Sequence, residues 1–78
     1  MSQATSLLDM WVLYESPDDA PGEWVVRQWF VVPGAPEPVN GVAYRSPSRR
    51  RAEAMVPEGR VFLARSPTDE PCIVGTWL

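Results

Sequence analysis

The residues that could do chemistry in this 78-residue chain are few, and most are charged. Glu15, Asp18, Asp19 and Glu23 crowd one proline-containing stretch, and Glu37, Asp69 and Glu70 lie in others. Paired carboxylates can share a proton or hold a cation. Asp18, Asp19 and Glu23, however, lack the spacing and the glycine of a calcium loop. Paired-carboxylate catalysis at Asp18/Asp19 or Asp69/Glu70 would need a dry pocket, and so short a chain offers little room for one. Cys72 is the only cysteine, and the chain has no histidine to activate it or to serve as general base or metal ligand. There is no phosphate-binding glycine loop, no cysteine/histidine metal spacing and no triad. The expectation is a protein that is not an enzyme and carries no cofactor and no metal.

Binding chemistry has more support. All seven basic residues are arginines, and Arg49, Arg50 and Arg51 are consecutive, with Arg45 just upstream. Cations at a helix start oppose its dipole, each costing about 0.3–1 kcal/mol, which points to a use such as gripping phosphates. The plainer reading is a solvated face in which Arg49 pairs with Glu53 four residues on. The acidic loops likewise have two readings. They confer solubility, or they imitate a phosphate backbone and occupy a basic groove on a partner.

These side chains need a scaffold, and the scaffold is organised around residues 23–32, E-W-V-V-R-Q-W-F-V-V. β-branched and aromatic residues fit a pleated, half-buried surface, so this run is expected to be a strand. Alternation puts Trp24, Val26, Gln28, Phe30 and Val32 on one face and Val25, Arg27, Trp29 and Val31 on the other. Residues 10–15 read as a preceding strand, 42–45 as a short third, 60–65 and 72–78 as the last two. Nine prolines and five glycines punctuate these runs and favour sharp turns. Residues 46–55 form the one expected helix, capped by Ser46 or Ser48 and stopped by Pro57. Residues 1–6 are expected to fray, and Leu7 and Leu8 to fold back onto the core. The order β-β-(β)-α-β-β predicts an α+β fold: one domain with a four- to five-stranded, mainly antiparallel sheet and one short helix.

That fold has a covering problem. A helix of about ten residues spans ~15 Å and shields part of one sheet face. The strands nevertheless put apolar residues on both. The uncovered face is expected to meet a partner, a second copy of the chain, or its own curled sheet. Trp29 and Arg27 are of the types that anchor interfaces. The expected partner-binding residues are therefore Glu15, Asp18, Asp19, Glu23, Arg27 and Trp29. The alternative is an anion site at Arg45, Arg49, Arg50 and Arg51 that binds nucleic acid. A third reading is a homodimeric structural protein. Direct nucleic-acid binding is the runner-up to partner binding, because a solvated or paired arginine face is the plainer reading of the cluster. No apolar run reaches the ~20 residues of a membrane span, and a single cysteine permits no internal disulfide, so the expected setting is a reducing cytoplasm.

Three stretches carry a resemblance. They are Trp11-Val12-Leu13-Tyr14, then Asp19-Ala20-Pro21 leading into Trp24-Val25-Val26-Arg27-Gln28-Trp29, and the ending Asp69-Glu70-Pro71-Cys72-Ile73-Val74-Gly75-Thr76-Trp77. Together they resemble small proteins encoded by bacteriophages and mobile elements of proteobacteria. One departure is Gly75-Thr76, where an acid before the final Trp is expected. The resemblance supplies no catalytic residues. It implies a genomic setting in which small acidic proteins inhibit host defence, anti-CRISPR proteins being the best-known class. The implied function is a phage-type inhibitor that binds a host CRISPR surveillance complex and blocks its nucleic-acid-binding surface.

Overall fold

The computed structural model describes residues 8–78, so the expectations for residues 1–7 lie outside the described residues. Five strands and one helix follow in the order β1 Leu8–Glu15, β2 Trp24–Val31, β3 Val39–Ser46, α1 Arg49–Glu53, β4 Phe62–Ala64 and β5 Ile73–Trp77. They build one antiparallel sheet in the order β3-β2-β1-β5-β4, the α+β architecture expected from the sequence.

β1 and β2 pair without interruption from Leu8↔Val31 to Glu15↔Trp24. This register keeps the alternation of both strands in phase. One face carries Trp11 and Leu13 of β1 opposite Gln28 and Val26 of β2, with Tyr44 opposite Val26 and Trp77 opposite Trp11. The other face carries Met10, Val12 and Tyr14 with Val25, Arg27 and Trp29.

Every adjacent pair of strands is antiparallel, so the two edge strands, β3 and β4, run in the same direction. The chain between them must therefore cross the sheet, and α1 lies on that crossing. It packs its buried Ala52 against Trp11, Leu13 and Val26, with Trp24, Val56, Val74 and Trp77 around them. Beyond the helix, Arg60 reaches β1. Its Nη2 donates to Asp9 Oδ1 at 2.6 Å and its Nη1 to the Asp9 carbonyl at 3.1 Å. Gln28 Nε2 donates to the other carboxylate oxygen at 2.8 Å. Burial opposes ionisation of Asp9. The hydrogen bonds from Gln28 and Arg60, with Arg60's charge, outweigh it and hold the carboxyl below its usual range.

Several bounds differ from expectation, β4 among them at three residues rather than six. The helix is five residues rather than ten. Ser48 caps it, its Oγ accepting the Arg51 N–H, and Met55 and Val56 continue only with bonds three residues back, to Ala52 and Glu53. In so short a helix the first and last turns coincide, so the consecutive arginines meet both dipole ends and the expected cost largely cancels. The third strand is eight residues, not four. Pro38, which has no N–H to give, precedes it, and Gly41 marks an irregularity rather than a turn. The pairing shifts register between Arg27 and Trp29, and Gln28 Oε1 fills in by accepting the Val42 N–H at 3.3 Å. A side chain at Gly41 would lie 2.9 Å from the Phe30 ring, the close approach that makes a glycine useful inside a strand. Finally, Leu8 is 74% exposed rather than folded onto the core.

Candidate partner-binding face

The face opposite α1 divides into two halves. One end is aliphatic: Leu8, Val31, Val61, Leu63 and Leu78 are all exposed. The other end is polar and is built by two turns. The 16–22 segment leaves β1 at Ser16, which has a positive φ of 50°, and folds over the face so that Pro17 and Ala20 are buried. Gly22, at φ 78°, donates its N–H to Ser16 Oγ and returns the chain to β2. The second turn, 65–72, is held by Asp69, whose carboxylate accepts the Ser66 N–H and whose carbonyl accepts from Arg65 Nη2. β5 lies beside β1, so the two turns emerge at the same end of the sheet. The Glu15 N–H donates to the Cys72 carbonyl at 2.8 Å and joins them.

Between the turns lies an open groove of about 560 Å³, lined by Tyr14, Pro17, Asp18, Asp19, Arg27, Trp29, Glu70, Pro71 and Cys72. Its floor is a chain of contacts within the protein. The Trp29 indole Nε1–H donates to the Tyr14 hydroxyl at 3.3 Å. The Arg27 guanidinium lies 5.2 Å from the Tyr14 ring centroid and is paired with the Asp19 carboxylate. Arg27 Nε is buried without a hydrogen-bond partner among the described residues, so the side chain is held by its tip and by packing. The bond from Arg27 outweighs the partial loss of water around Asp19 and keeps its carboxyl below the usual range. Burial pushes the Tyr14 phenol up, against the opposing bond from Trp29 and charge of Arg27.

The six residues expected to bind a partner are therefore separated by the fold. Asp18, Asp19, Arg27 and Trp29 come together at the groove. Glu15, opposite Trp24, points to the helix side of the sheet. Glu23 makes a 3.7 Å ion pair with Arg45. Tyr14 and Glu70 join the groove, and neither was among the expected site residues. Their signal lay in strand order, which puts the second acidic turn beside the first. Trp29, expected as an interface anchor, is half-buried.

The arginine cluster is also divided. Arg49 pairs with Glu53 at 2.8 Å and stands 5.4 Å from the Trp24 ring centroid. Arg45 has its pair with Glu23. Arg50 and Arg51 are exposed and form no ion pair among the described residues. The Cys72 thiol is half-buried, 3.9 Å from Glu70 Oε2. No group of three or more histidine, cysteine or acidic side chains among the described residues is placed to hold a metal. Nor is any described helix long and apolar enough to cross a membrane. Compared with known proteins, the chain matches no family model, no curated protein and no solved structure.

Proposed function

We propose that this chain is a non-enzymatic binding protein that presents the sheet face opposite α1 to a basic surface on a protein or ribonucleoprotein. In its finer form, following the resemblance to phage and mobile-element proteins, it is an inhibitor acting in the bacterial cytoplasm. There it occupies the nucleic-acid-binding surface of a CRISPR surveillance complex. The observation that carries the reading is the meeting of two acidic turns over an aromatic floor, with Asp18, Asp19 and Glu70 around Tyr14 and Trp29. Carboxylates held on turns anchored to a sheet can complement a surface evolved to bind phosphates, and complementary fields steer association.

The test is charge reversal at the two groove carboxylates that take part in no ion pair among the described residues, D18K/E70K. The double variant should lose inhibition of target binding by a surveillance complex while keeping its melting temperature. Full inhibition by a folded D18K/E70K protein removes the reading. A gel-shift series at low salt separates it from the nucleic-acid alternative at Arg45 and Arg49–Arg51, because mimicry predicts no DNA or RNA binding. A second reading is favoured by the aliphatic half of the same face, where Leu8, Val61, Leu63 and Leu78 would be buried if two copies packed face to face. Light scattering decides it, since a monomer across a wide concentration range excludes self-association.

A further inference from the structure

The groove already contains one bound cation, and it belongs to the protein. Arg27 lies over the face of Tyr14 and is paired with Asp19. An aromatic face supplies a negative quadrupole, and a carboxylate supplies charge and hydrogen-bond acceptors. The same two ingredients recur among the other residues that line the groove. The aromatic is Trp29, the carboxylates are Asp18 and Glu70 on the two turns, and Pro17 and Pro71 are among the walls. Among the described residues neither Asp18 nor Glu70 takes part in an ion pair. The indole N–H of Trp29 is engaged by Tyr14, so what the ring has left to offer a ligand is its π surface.

We propose that the groove holds a subsite, at Trp29, Asp18 and Glu70, for an arginine side chain of a protein partner. The guanidinium packs on Trp29, and Asp18 and Glu70 accept its N–H groups. The proposal rests on the reading of this face as the partner surface and gives that partner its chemistry. Tryptophan is the strongest of the aromatic partners for a cation. Arginine fits better than lysine because a planar guanidinium can stack on a ring while its donors fan out to acceptors on two sides. Lysine, a strongly hydrated point charge, gains less from a flat floor. Arg27 repels an incoming cation, so the subsite requires both carboxylates. Asp19 is already committed to Arg27 and contributes little.

The experiment titrates the full isotope-labelled chain with short peptides of alternating glycine and arginine, and with lysine and glutamate counterparts, following backbone and indole N–H signals. The arginine peptide should shift the Trp29 indole N–H and the Asp18 and Glu70 amides saturably. It should bind about tenfold more tightly than the lysine peptide and not at all in the glutamate form. D18N and E70Q should each weaken it about tenfold while the rest of the spectrum stays unchanged, which separates lost contact from lost fold. Equal affinity for the arginine and lysine peptides, or wild-type affinity in D18N and E70Q, overturns the subsite. Its failure is distinguishable from failure of the function. Specific arginine binding together with undiminished inhibition by D18K/E70K keeps the subsite and removes the inhibitor reading. Lost inhibition without peptide binding does the reverse.

Discussion

Replacing Asp9 with asparagine cuts the clasp that fastens the crossing segment to the sheet. Arg60 bonds both the Asp9 carboxylate and its carbonyl, and the two side chains are only 19% and 20% exposed. A hydrogen bond to a charged group is worth about 1.5–3 kcal/mol, and truncating one partner leaves the other charge partly desolvated. Asparagine keeps the shape and one acceptor, so the expected loss is about 2 kcal/mol. For a domain this small, ~1 kcal/mol moves the melting temperature by about 4–8 °C, so D9N should melt roughly 10 °C lower. In urea, with a slope of about 1 kcal/mol/M, the midpoint should fall by about 2 M with the slope unchanged. Tryptophan fluorescence reads both. The pH dependence gives a second check. The folded-state pKa of Asp9 is below its ordinary value, so the carboxylate's contribution is present above the unfolded pKa, about 3.9. It is lost as pH falls through the folded pKa, where wild type and D9N should converge. A midpoint shift under about 0.5 M, or a gap that persists unchanged in strong acid, would refute the account of this cluster.

Gly75→Ala should destabilise the domain by about 1–3 kcal/mol in the same urea assay, because the added methyl meets the Phe62 ring and lies 2.7 Å from the Leu63 backbone carbonyl. Gly41→Ala should cost less, since its nearest obstacles are the ends of the Gln28 and Phe30 side chains; a larger loss at Gly41 than at Gly75 would count against this ordering. Ser48→Ala removes the side-chain cap of α1 and should cost about 1 kcal/mol. Burial raises the Tyr14 pKa, so the folded state holds its phenolic proton more tightly than the unfolded state does. Stability should therefore fall as pH rises past about 10, and less so in Y14F, measured by thermal melts across alkaline pH.

Strand alternation, turn chemistry and the single helix could be read from residue types because they depend on neighbours in the chain. The two faces of β2 follow from the tetrahedral geometry of each Cα, and the proline and glycine clusters act through their own backbone angles. The nearness of Arg49 to Glu53 belongs to the same class, set by helical spacing. Pairings between distant strands have no such local signature. Residues 39–41 fall outside the strand expected at 42–45 because nothing nearby reveals that β2 is long enough to recruit them as an edge. Asp9 and Arg60 are 51 residues apart, and only the crossing of the chain between the two sheet edges brings them together. Glu70 meets Asp18 because β5 lies beside β1. Glu15 leaves the groove because one residue's step along a strand turns a side chain to the opposite face. Residue types alone thus determined that an acidic, aromatic, arginine-bearing sheet would form. The order of strands, a long-range property, decided which of those side chains share a surface.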